Sequence, residues 1–262
     1  MFSDKTFELL IALKTEEDYA YVSKRKPEFE RELIRPFKSV VADVWATLPD
    51  EMKLRLTDKR CFGQIQKQPI SQGPNKGKMK SHPFYWAAFY PKEFSKKQAG
   101  CQLLTFISGD YLEFGFFFGW QSYDEENEKV CDRFVMNTTY ARSGLFLEDL
   151  VPYLNKRVPP KTITYRADDY RFQRDGTAVN NDGQNFSWSH FFQNPWQPVA
   201  NGKYLQIRSP MRVVCAKAVQ RMSRDELIGE IVAVFRAMFP LVLMTVSRSA
   251  FDEITDWIFA DD

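Results

Sequence analysis

The hydrophobic positions of this chain fall into two patterns, helical stripes and short apolar runs, and each predicts a different kind of element. From Lys26 to Leu48, Phe29, Leu33, Ile34, Phe37, Val40, Val41, Val44, Trp45 and Leu48 recur at steps of three and four, tracing one apolar stripe along a helix. Pro36 falls inside that stripe. Proline lacks an amide hydrogen and its ring presses on the preceding turn, so a kink or a restarted helix is expected there. A second helix begins near Ser223, where "SRDE" spaces Ser223 and Glu226 as a capping box and places Asp225 in the first turn. Leu227, Ile228, Ile231, Val234, Phe235, Met238 and Phe239 supply its stripe, and Pro240 is expected to interrupt "MFPLVLMTV".

Between these helices the stripe gives way to short runs rich in aromatic and apolar residues. "FYWAAFYP", "CQLLTFIS" and "YLEFGFFFG", within Phe84 to Trp120, read as strands, and "SGD" at Ser108 to Asp110 reads as a hairpin turn. The run Phe116 to Phe118 is too apolar for a strand with one wet face, so cover on both faces is expected. Glu125 to Tyr140 and Leu145 to Val158 read as helices. With no internal repeat and no Pro/Gly/Ser linker, the pattern predicts a single α/β domain over residues 1–262, of the α+β kind. Its core is one mixed or antiparallel curved sheet with helices packed on it.

Arg166 to Tyr204 fits neither pattern. It is rich in Asn, Gln, Gly and Asp, yet carries Phe186, Trp188, Phe191, Phe192 and Trp196. Long polar segments with that many rings are ordered for a reason, and Trp188 and Trp196 read as loop residues.

Composition narrows the class. Of 262 residues 44% are hydrophobic and 15% aromatic, with 23 Phe, which suits a packed globular chain. No run approaches the ~18 uninterrupted apolar residues of a membrane span. "MFSDKTFELL" has none of the marks of a signal peptide, so the cytoplasm is the expected compartment. Four scattered cysteines and two histidines argue against a zinc site and a disulfide scaffold.

The charges are segregated. Net charge is +2, yet Lys59 to Lys97 holds nine Lys/Arg against one acid, Glu93, and Ala200 to Arg224 holds six with none. Acids gather in "YDEENEKVCD" and near the C-terminal end. Such basic tracts are candidate surfaces for a polyanion.

Chemistry is sparse. There is no P-loop and no GxGxxG, and neither His82 nor His190 is linked to a nucleophile, so no cofactor is expected and catalysis in this chain is weakly supported. Asp110 and Glu113 in "GDYLEFGF" suggest a divergent metal-dependent nuclease, but Gly115 stands where such a site needs Lys. The plainer reading is a turn Asp and an exposed strand Glu. "RADDYR" reads as a self-compensating surface rather than a cation site. Binding remains: Lys and Arg neutralise phosphates, while Trp, Tyr and Phe stack on bases.

Two stretches carry a resemblance. "FERELIRPFKSVVADVWATL", the basic segment after it, "YWAAFYPKE" and "GCQLLTFISGDYLEFGFFFG" are similar to a bacterial α/β domain family of unknown function. "VVCAKAVQRMSRDELIGEIVAVFRAMFPLVLM" resembles the lead-in to the AAA+ motor of McrB-like proteins of modification-dependent restriction systems. That resemblance implies an N-terminal DNA-targeting domain of a longer protein, reading a modified base flipped into an aromatic pocket, with an AAA+ motor and a nuclease subunit as partners.

Arg60, Lys67, Lys76, Lys78, Lys80, Lys203, Arg208 and Arg212 are then the expected phosphate contacts. Trp86, Trp120, Tyr123, Trp188 and Trp196 are the candidates for base contact. The alternatives are a protein-interaction domain that docks an acidic partner, and the nuclease.

Overall fold

The computed structural model describes residues 2–15, 18–69, 79–94, 101–109, 112–118, 133–134, 136–137, 146–167, 187–193, 199–201, 204–206, 211–217 and 222–261. Helix α1 (Asp4–Thr15) and α2 (Tyr19–Lys24) lead into the first long helical rod. That rod is continuous through Pro36. It runs as α3 (Lys26–Phe29), a π-helical turn over Glu30–Ile34, and α4 (Arg35–Thr47). In the π turn the Arg35 amide donates to the Glu30 carbonyl, one residue further back than in an α-helix. The wider turn accommodates the proline ring that follows, and no break occurs. Phe29, Leu33, Phe37, Val40, Val41 and Val44 are all buried, as the stripe requires.

After α5 (Asp50–Arg55) the chain enters a six-stranded sheet of β1 (Leu56–Thr57), β4 (Phe84–Pro91), β5 (Cys101–Ser108), β6 (Leu112–Phe118), β10 (Met211–Lys217) and β7 (Ile163–Ala167), in that spatial order. Every pairing in it is antiparallel. The sheet is therefore antiparallel, with helices packed on it, and the fold is α+β. Two separate two-stranded ribbons complete the strands: β2 (Gln66–Pro69) with β3 (Met79–Ser81), and β8 (Val199–Asn201) with β9 (Tyr204–Gln206).

The register sorts the central strands into two faces. Tyr85, Ala87 and Phe89 of β4 align with Ile107, Thr105 and Leu103 of β5, and these with Leu112, Phe114 and Phe116 of β6. This inner face meets the helices. The Phe37 ring stands 5.2 Å from Tyr85, and Phe89 lies 5.0 Å from Trp45 and 6.0 Å from Phe235. Helix α6 (Phe146–Arg157) and α7 (Trp188–Gln193) lie beyond. The outer face carries Phe84, Trp86, Ala88 and Tyr90 of β4, with Gln102, Leu104 and Phe106 of β5 and Glu113, Gly115 and Phe117 of β6.

The spine of the helical layer is α8 (Arg224–Val246), which starts at the expected capping box: the Ser223 hydroxyl accepts from the Glu226 amide, and the Glu226 carboxylate accepts from the Ser223 amide. Pro240 does not interrupt it, contrary to the pattern. The helix is continuous through the proline, and every residue from Ala237 to Val246 is buried, so packing surrounds it on all sides. Among the described residues α8 is the one helix long and apolar enough to cross a membrane, and most of that surface is buried in the fold. Helix α9 (Ala250–Asp261) packs back on it.

Candidate nucleic-acid interface

The basic tract wraps the outer edge of β4. Beyond β1 the chain bulges at Asp58 to Arg60, then returns to β4: the Gly63 amide donates to the Trp86 carbonyl (2.8 Å) and the Ala88 amide to the Cys61 carbonyl (3.0 Å). Phe62 bridges to Ala87. Register sums to two extra residues in the bulge, and Arg60 absorbs the turn with φ 54°. The Tyr90 hydroxyl donates to the Lys59 carbonyl at 2.8 Å, pinning the bulge to the outer face. Burial raises the Tyr90 phenol above its usual range, and the nearby Arg60 charge pulls it the other way.

This edge carries uncompensated charge. Several cations elsewhere are matched, Lys5 with Glu8 at 2.8 Å, Arg25 with Glu28 at 2.6 Å, Arg31 with Glu32 at 2.6 Å and Arg55 with Glu253 at 2.7 Å, while Lys24, Lys26, Arg35 and Arg248 are exposed with no ion pair among the described residues. Arg224, which closes the second basic tract, is held by Asp43. Among the described residues Lys59, Arg60 and Lys92 are exposed and make no ion pair with an acid. The one acid of the tract, Glu93, faces Arg133 at 3.9 Å instead. Salt bridges at a surface contribute little to stability, but their absence here leaves a net positive edge.

The tract continues into the β2–β3 ribbon, with Gln66 opposite Ser81 and Pro69 opposite Met79 around an irregular register. The His82 amide donates to the Ile65 carbonyl at 2.6 Å and ties the ribbon's base to the start of β4. Lys67 lies on β2 and Lys80 on β3; Lys76 and Lys78, between the two strands in sequence, lie outside the described residues. So do Lys203 and Arg208. Arg212 takes a register position on β10 opposite Phe117 and Arg166.

The aromatic candidates divide. Trp86 is half-buried on the outer face, its indole laid over Gly63 so closely that a Cβ there would come within 2.2 Å of Nε1. Trp188 is a correction. Far from lining a polar loop, it is fully buried in α7, its Nε1–H donating to the Val158 carbonyl at 2.9 Å, with the Phe191 and Phe192 rings packed on it. A ring so enclosed has no face for a base. Trp120, Tyr123 and Trp196 lie outside the described residues.

Sequence reasoning missed His82, Phe84 and Phe106. Their rings form a column at the ribbon's base, with His82 to Phe84 at 4.7 Å and Phe84 to Phe106 at 4.4 Å. The alternation Phe84, Trp86, Ala88, Tyr90 along β4 was the available signal, but it does not say which face lies under the helices.

Glu113 also departs from expectation. Instead of being exposed it is 1% accessible, opposite Phe106 and Ala216 in the sheet, and Asp110 lies outside the described residues. No group of three or more His, Cys, Asp or Glu arranged to hold a metal occurs among the described residues. No protein-family model, no curated protein and no solved structure matches this chain.

Proposed function

We propose that this chain is a DNA-binding targeting domain that holds phosphates along the β4 edge and the β2–β3 ribbon. The observation that carries the reading is the edge of Lys59, Arg60 and Lys92, exposed and without ion pairs among the described residues, which continues along the chain into the ribbon that bears Lys67 and Lys80. A two-stranded ribbon has the width to enter a major groove, and lysine and arginine release counterions from the backbone. The resemblance to the targeting domains of McrB-like restriction proteins extends the proposal: a modified base as the target, an AAA+ motor and a nuclease subunit as partners, and a cytoplasmic setting.

The test is fluorescence anisotropy with short duplexes, unmodified or carrying N6-methyladenine, 5-methylcytosine or 5-hydroxymethylcytosine, at two salt concentrations. Binding tighter than the roughly 10⁻⁴ to 10⁻⁶ M of nonspecific association, with preference for one modified base, supports a targeting role. Lys78→Glu with Lys80→Glu weakens binding to all sequences alike, because phosphate contacts carry no sequence information. Absence of binding to every duplex at low salt overturns the reading.

A further inference from the structure

The geometry points to a stacking platform for unpaired DNA bases on the outer face of the sheet, built on the column His82, Phe84 and Phe106. The inference rests on the reading of the flanking basic edge as a phosphate surface. Phe84 lies between the other two rings, tilted by 34° to each. All three rings are half-buried, whereas Phe114 and Phe116 on the inner face of the adjoining strand are fully buried. The fold thus encloses large rings completely on one face and leaves this column partly open on the other.

Charge names the occupant. At one end of β4 the column adjoins the base of the ribbon, through the bond from the His82 amide to the Ile65 carbonyl. At the other end stand Arg60 and Lys92, roughly 20 Å away at about 3.4 Å of rise per strand residue. A polyanion lying along the strand meets positive charge at both ends and flat rings at one of them. An acidic peptide satisfies the charge but brings no ring to each step. The bases of a duplex do bring rings, but their faces are hidden in the stack, so only an unpaired base presents one. Stacking of this kind is indifferent to sequence, since every base has a π-face.

The experiment compares a labelled oligothymidine of about twelve nucleotides with an abasic strand of the same phosphate count, at low salt, beside a paired duplex. The oligothymidine is expected to bind at least about ten-fold more tightly than the abasic strand. Phe84→Leu and Phe106→Leu are expected to close that gap while leaving abasic affinity unchanged. Circular dichroism checks their folding, and His82→Ala, which keeps the backbone bond to Ile65, carries the test if either leucine variant unfolds. Equal affinity for the two strands, or a gap that survives in the variants, overturns the platform and leaves the phosphate surface standing. Failure of every strand and duplex to bind overturns both.

Discussion

The hydroxyl of Thr6 in α1 donates to the backbone carbonyl of Glu32 at 2.5 Å, and Glu32 lies four residues before Pro36. In a regular helix that carbonyl would take the amide of residue 36, which proline lacks. The same solution recurs in α8. Pro240 cannot serve the Arg236 carbonyl, and the Trp257 indole of α9 donates to it at 3.2 Å. Each mid-helix proline is thus tolerated because a side chain from a neighbouring helix satisfies the carbonyl acceptor it leaves.

Thr6 is fully buried, so its removal strands an acceptor away from water. Thr6→Val is expected to lower unfolding stability by about 1–3 kcal/mol, and Thr6→Ser by much less. Urea titration of the three proteins measures the difference. A valine variant as stable as the parent would show that the bond contributes nothing.

Gly63→Ala tests the packing beneath Trp86. The added Cβ would overlap the indole, which must leave its place over the edge strand. A loss of about 1–3 kcal/mol is expected, the usual cost of overpacking. In a Trp86→Ala background the same change should cost far less, and a double-mutant cycle reads that coupling.

Trp188→Phe keeps most of the buried ring but drops the bond to the Val158 carbonyl, so a loss of about 1–3 kcal/mol is expected. Trp188→Ala should cost about 3–5 kcal/mol, as for other buried aromatics. Neither variant should change DNA affinity at a temperature where it stays folded, and a selective loss of binding by folded Trp188→Phe would contradict its place in the core.

The Cys101 thiol is fully enclosed and bonded to the Thr245 hydroxyl at 2.7 Å. Burial pushes it up to about 12 from the usual 9.0. The unfolded thiol ionises first as pH rises, so stability is intact below about 9.0, declines above it, and has lost this contribution by about 12. Cys101→Ala should flatten the alkaline limb of a stability–pH profile, and iodoacetamide should leave Cys101 unmodified in the folded protein at pH 8.

Arg60→Ser with Lys59→Ser should weaken duplex binding and make the dependence of log affinity on log salt shallower by about one to two units, as one or two phosphate contacts are lost. Arg60 occupies a left-handed position, so Arg60→Gly with Lys59→Ser separates charge from backbone strain. An unchanged salt slope in both variants removes the β4 edge from the interface.

Local physics determined much of this protein in the sequence itself. The stripe from Phe29 to Val44, the Ser223–Glu226 capping box and the short aromatic and apolar runs after Phe84 each depend on neighbours a few residues away, so periodicity, capping chemistry and composition reveal them. Segregation of charge is likewise a property of the chain, and it marked Lys59 to Lys97 before any contact was known. Tertiary structure decided the rest. Whether Pro36 and Pro240 break their helices depends on donors supplied by Thr6 and Trp257, 26 and 21 residues along the chain from the carbonyls they serve. Whether Trp188 stacks on a base or fills the core depends on Val158, Phe191 and Phe192 closing around it. Which face of β4 lies under the helices, and hence that His82, Phe84 and Phe106 form a half-open column, follows from which side of the sheet α4 and α8 cover. Alternation marks two faces of a strand, but only packing tells them apart.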